Sequence, residues 1–126
     1  MGFDIQDLSD ESKGMPVNNW NWHPTVELVR SFGILDPERI EALHAQYSAA
    51  VVTEEEARVI GQRLQKDVLA RLRPEQRVLL DLSITSEPDD RTFHHGTDAE
   101  KNYSATFDWL TRFASFCSEC RGFRVF

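Results

Sequence analysis

Hydrophobic positions recur along this chain with two periods, and the switches between them mark its elements. Phe3 and Ile5 alternate with Asp4 and Gln6, so residues 3–8 read as a short edge strand and 9–14 as a polar loop. Asn19 and Asn21 then alternate with Trp20 and Trp22, which predicts an extended stretch with both indoles on one face. Pro24 suits a first helical position, and Val26, Leu28, Val29 and Phe32 continue as a short helix that Gly33 ends. Asp36 before Pro37 opens a second helix, whose stripe of Ile40, Leu43, His44 and Tyr47 carries it to about Ala49.

The clearest start follows at Thr53, where a hydroxyl and the Glu56 carboxylate three residues on form a capping box. Ala57, Ile60, Leu64, Val68 and Leu72 then mark one helical stripe, with Glu54 and Arg58, and Asp67 and Arg71, spaced to pair on the wet side. Pro74 interrupts it, and the apolar run 78–82 fits either a helix piece or a strand. Periodicity disappears over 85–102, the composition of a long surface loop. Ser104 is placed to cap a last helix with Phe107, Leu110, Phe113, Ala114 and Cys117 inward, and Gly122 to end it in a left-handed turn. Residues 123–126 read as a strand that pairs with the first. The expected fold is mainly α within an α+β class: about four helices in one domain, 1–126, with a minimal two-stranded ribbon from the terminal segments.

Composition narrows the functions. The 126 residues carry 21 Asp and Glu against 14 Lys and Arg, a formal charge of -7. That balance disfavours a general nucleic-acid binder, which needs a basic face. There is no basic segment ahead of an apolar stretch near Met1, and no apolar run of membrane-spanning length. With only two cysteines, Cys117 and Cys120, the expected setting is the cytoplasm, without membrane association.

Several chemistries lack their motifs. The glycines fall at 2, 14, 33, 61, 96 and 122, too scattered for a phosphate-cradling loop. Neither a Gly-x-Ser-x-Gly elbow nor a His-Glu-x-x-His helix occurs, and no His-x-Glu precedes Pro-Cys-x-x-Cys as zinc deaminases require. One metal-like set remains: His94 and His95 in the long loop with Cys117 and Cys120 on the last helix, two imidazoles and two thiols that match a tetrahedral zinc site. The competing reading makes Cys117 part of the apolar stripe and the histidines solvated. Trp20 and Trp22 fit either core anchors or a recognition surface. Phe93 is the one large apolar residue of the long loop, either a pin against the last helix or a partner contact.

The opening Met1-Gly2-Phe3-Asp4-Ile5, the Asn18-Asn19-Trp20-x-Trp22 segment, the Thr53-Glu-Glu-Glu-Ala57 helix start and the closing Phe113-x-x-Phe116-Cys117 with Gly122-Phe123 resemble an uncharacterised family of small bacterial and phage proteins. The chain departs from that pattern at Gln6, Asp7, Asn21, His23 and Arg121, and Cys120 falls outside it. The resemblance implies an origin and no activity. The function expected from the sequence is non-catalytic: an accessory, inhibitor or immunity-like factor that binds a protein partner through Phe93, Trp20 and Trp22. A zinc protein using His94, His95, Cys117 and Cys120 is one alternative, and an enzyme with an acidic site is another.

Overall fold

The computed structural model describes residues 2–10, 12–45, 50–86 and 103–125. Two antiparallel sheets and four α-helices make up the described chain. The α+β class stands, but with more strand than a minimal ribbon.

Strand β1 (Gly2–Asp7) pairs on one side with β2 (Gly14–Asn18), Ile5 opposite Met15, and on the other with β7 (Phe123–Val125), Ile5 opposite Val125. The pairing of the two terminal segments is thus present. A further strand, β3 (Val51–Val52), adds to the free side of β7, and the order is β2-β1-β7-β3. The second sheet runs β5-β4-β6, from β4 (Arg77–Leu79), β5 (Ile84–Thr85) and β6 (Ser104–Thr106). The ambiguous run at 78–82 is therefore a strand and its turn, closed by Asp81, whose carboxylate accepts from the Ser83 amide and hydroxyl, with Leu82 at φ 71°.

The first helix departs most from the sequence reading. Helix α1 spans Asn19–Phe32, because the Asn18 side chain accepts from the Asn21 amide at 2.8 Å and caps a helix that includes the asparagine–tryptophan stretch. Pro24 lies inside it as the sixth residue, where its missing N–H forfeits one ladder bond. Helical geometry turns residues two apart by about 200°, so Trp20 and Trp22 cannot share a face. Trp22 points into the core, 1% exposed, and Trp20 stays half-buried outside it. Gly33 closes α1 in the left-handed region, as its position predicts.

Helix α2 (Pro37–His44) is capped by the Asp36 side chain and ends at Ala45. Helix α3 (Glu54–Arg63) carries the full capping box of Thr53 and Glu56. It continues through a π-helical turn over Leu64–Leu69, and here the stripe explains the geometry. Ala57 aside, the inward residues Ile60, Leu64, Val68 and Leu72 step by four, and each such step overshoots an α-helical turn by about 40°. The wider π turn absorbs the drift and keeps all four buried. Asp67 consequently pairs with Arg63 at 2.5 Å rather than with Arg71. The Glu54 and Arg58 pair forms as spaced, at 3.3 Å.

Helix α4 (Phe107–Glu119) starts two residues later than Ser104 suggests, since β6 uses 104–106 and the Thr106 side chain is the cap. It ends at Cys120, and Gly122, at φ 91°, instead bends the chain into β7, with the Val52 carbonyl only 2.8 Å from where a Cβ would stand. Helices α3 and α4 pack closely at Gly61: a Cβ there would meet Ser118 Oγ at 2.7 Å and the Ala114 carbonyl at 3.0 Å. The core fills the space between these helices, α1 and the sheets. Its centre is Phe113, edge-on to Trp22 at 5.8 Å and parallel to Trp109 at 5.4 Å. Among the described residues no helix is long and apolar enough to cross a membrane.

Candidate functional site

Because α1 begins before Trp20, His23 and Glu27 stand one turn apart on the same helical face, with Arg30 a further turn on. The end of α2 supplies His44, and a core contact sets its position. The Trp22 indole N–H donates to the carbonyl of Leu43 at 2.7 Å in a buried bond, tying the last turn of α2 to α1. The lead-in to β6 supplies Tyr103, and Asn21 holds that strand by accepting from the Thr106 amide at 3.1 Å. Together His23, Glu27, His44, Leu80 and Tyr103 line an open pocket of about 320 Å³.

The polar groups form a chain across it. His44 Nε2 bonds Glu27 Oε2 at 2.7 Å, and His44 Nδ1 faces His23 Nδ1 at 2.8 Å. Arg30 donates to the same Glu27 oxygen at 3.2 Å and to Glu41 at 2.9 Å. Burial opposes ionisation of Glu27, but hydrogen bonds from His44 and Arg30 outweigh it and hold this carboxyl below its ordinary value of 4.5. Burial, and next the charge of His44, push the His23 imidazole below its ordinary 6.5, against the pull of Glu27. An ionised Glu27 requires the proton on His44 Nε2, which fixes that tautomer.

Aromatic rings complete the site. Trp20 and Tyr103 meet with centroids 4.5 Å apart, and Tyr103 stands edge-on to His23 at 5.7 Å. From the half-buried Trp20 inward, four rings of the site are therefore in contact, ending at His44.

Of the described residues singled out in the sequence, His23 lines this pocket and Trp20 stands at its rim against Tyr103. Trp22 is a core residue, and its bond to the Leu43 carbonyl ties it to the end of α2. Phe93, His94 and His95 lie outside the described residues. Cys117 and Cys120 are both free thiols buried beside β7, the Cys120 thiol donating to the Cys117 carbonyl at 3.7 Å. Complete burial pushes the Cys117 thiol well up, and burial raises Cys120 as well, so both are uncharged thiols in the metal-free chain. Among the described residues no three His, Cys, Asp or Glu side chains converge as a metal cage: His23, His44 and Glu27 are strung in a line.

Sequence reasoning grouped His23 with the two tryptophans as a candidate recognition feature but missed Glu27 and His44. The signal was the i,i+4 spacing of His23 and Glu27, visible only once Asn18 is recognised as the cap. No family model matches the chain, and no curated protein or solved structure matches it.

Proposed function

We propose that this chain is a non-catalytic accessory protein of the inhibitor or immunity-like kind, working in the cytoplasm of a bacterium or on behalf of a phage. It captures a basic segment of a protein partner at the pocket beside Trp20 and Tyr103. The origin is carried by the motifs at its ends and around Trp20. The binding role is carried by one observation: Trp20 packs on Tyr103, which lines a pocket together with the Glu27 carboxylate, and Arg30 joins Glu27 to the exposed Glu41. Such a setting suits a lysine or arginine side chain, which gains from an aromatic face and from the Glu27 carboxylate in the same pocket. The overall charge of -7 adds long-range steering of a basic partner. Trp and Tyr are also the side chains most often found as anchors at the centre of interfaces.

The test is a titration of the full chain with a hexa-arginine peptide followed by NMR. Shifts centred on the Trp20 indole and Tyr103 are expected, weakened in Trp20→Ala and Tyr103→Ala, which keep every charge. Equal binding by wild type and both variants would mean that the peptide reads only diffuse negative charge, and would sink the assignment of this site.

A further inference from the structure

The contact between His23 and His44 is unusual in its geometry. A five-membered ring with bonds of about 1.35 Å puts each nitrogen about 1.15 Å from its centroid. The observed centroids are 5.0 Å apart with the two Nδ1 atoms at 2.8 Å. Two such radii and that separation reach 5.0 Å only if centroids and nitrogens lie almost on one line. With the planes only 21° apart, the imidazoles meet edge to edge and nearly coplanar, not face to face. A tetrahedral metal would need the two ring axes to converge at a wide angle and the nitrogens further apart. A collinear pair at 2.8 Å is instead the geometry of one shared proton.

We infer that this contact is a one-proton latch joining α1 to the end of α2, and that a second proton breaks it and ejects a basic occupant from the pocket. Glu27 keeps a proton on His44 Nε2. With both rings neutral, His23 Nδ1 donates to His44 Nδ1. One added proton leaves the contact intact: it enters at His23 Nε2, and the pair then holds three hydrogens, one on each Nε2 and one still shared between the two Nδ1 atoms. A second added proton puts a hydrogen on both Nδ1 atoms. Each N–H reaches about 1.0 Å into a gap of 2.8 Å between two positive rings, so the edges must separate.

The charged and titratable neighbours decide the sign. Among the described residues, the pair is faced from α1 by Glu27 and Arg30, from α2 by Glu41 through Arg30, from the β6 lead-in by Tyr103 and from the β4–β5 turn by Leu80. Whatever the starting balance, each proton added to the pair makes the pocket one charge more positive, and Glu27 is the acidic group among its described lining residues. Arg30 already draws on Glu27, so that carboxylate cannot neutralise both imidazoliums. The depressed proton affinity of His23 agrees with a pair that resists its second proton.

The latch stands on the ring geometry alone, while the ejection rests on the proposed binding of a basic segment, and the test separates them. In the full chain, imidazole nitrogen NMR from pH 8 to pH 4 is expected to show His44 locked as the Nε2–H tautomer. The two rings should gain their protons in two separated steps. Hexa-arginine should bind roughly tenfold more weakly after the second step, the effect of two charges about 6 Å from a cation in a water-like dielectric. Circular dichroism at each pH confirms that the chain is folded. His23→Phe should leave a single titration and a smaller loss of peptide affinity on acidification than the wild type shows. Two rings titrating independently near 6.5 with mixed tautomers overturn the latch even if the peptide binds. Two-step titration with pH-independent peptide affinity keeps the latch and overturns the ejection.

Discussion

Replacing Gly61 by alanine sets two well-measured effects against each other. Helix propensity alone favours alanine over an interior glycine by about 1 kcal/mol. The structure opposes this, because the new methyl would stand 2.7 Å from Ser118 Oγ, 3.0 Å from the Ala114 carbonyl and 3.3 Å from Cys117 Cβ. The serine hydroxyl can rotate, although it would give up its 3.0 Å bond to Ala114 O. The Ala114 carbonyl is α4 backbone, so α3 and α4 must move apart by a few tenths of an ångström along a seam where Gly61, Ala114 and Cys117 are buried and Ser118 stands at the exposed edge. Overpacking of that kind costs about 1–3 kcal/mol. The net expectation is a loss of about 1 kcal/mol, a fall in Tm of roughly 3–5 °C for a domain of this size. Urea denaturation of wild type, Gly61→Ala and Gly61→Ala/Ser118→Ala measures it. The double variant should recover only part of the loss, since the carbonyl contact remains. A single variant more stable than wild type would mean that propensity governs this position and that the two helices do not meet there as described.

Other expectations follow from the same contacts. Leu110→Ala and Leu64→Ala, both removing fully buried side chains, should each lower stability by about 2–5 kcal/mol in denaturant titration, and wild-type melting would refute the seam. Thr25→Val strips the acceptor of the buried Trp109 indole N–H, now at 2.8 Å, and should cost about 1–3 kcal/mol; adding Trp109→Phe should restore part of it, and strict additivity would deny the bond. On pH, the stability held by an uncharged His23 is full above 6.5 and declines as pH falls from there, while that held by ionised Glu27 is full above 4.5 and is lost as pH falls through its lowered value. Tm against pH should therefore fall in two stages, with His23→Phe lacking the upper one. For zinc, the buried thiols lead us to expect no change in Tm on adding a chelator; one equivalent of zinc by elemental analysis, removed together with stability, would establish the Cys117 and Cys120 site.

Much of the fold was written in local pattern. The capping box at Thr53, the Asp36-Pro37 start and the alternation around Ile5 each depend on neighbours within a few residues, and each is present. What failed to show were features that local pattern underdetermines. Asn18 caps as well as any serine, yet Pro24 drew the helix start towards itself, and with that error His23 and Glu27 lost their shared face. Strands of two or three residues such as β3 and β6 have too few positions to display a period, and they exist because distant partners fill their hydrogen bonds. The histidine pair joins residues 21 apart through the ends of two helices, a meeting that only packing decides. The π turn falls within a stripe read as one continuous helix, although its three successive four-residue steps carried the signal.

The place of β7 carries a consequence for how the molecule is made. This strand lies between β1 and β3, so residues near 124 complete a sheet that residues near 5 begin. A nascent chain that has emerged as far as α3 owns the β1–β2 hairpin and the short β3, but the seat between them is empty. Ile5 and Val52, sealed in the finished protein, then have no Phe123 or Val125 beside them. Closing that separation draws on chain entropy that grows with the length of the intervening loop, and it is repaid only when the last strand docks. Synthesis from the amino end therefore cannot settle this sheet piece by piece. Its open edges are exposed to proteases and to the edges of other nascent chains until the whole span has cleared the ribosome, and the step that closes them is also the one that commits the domain to its native state.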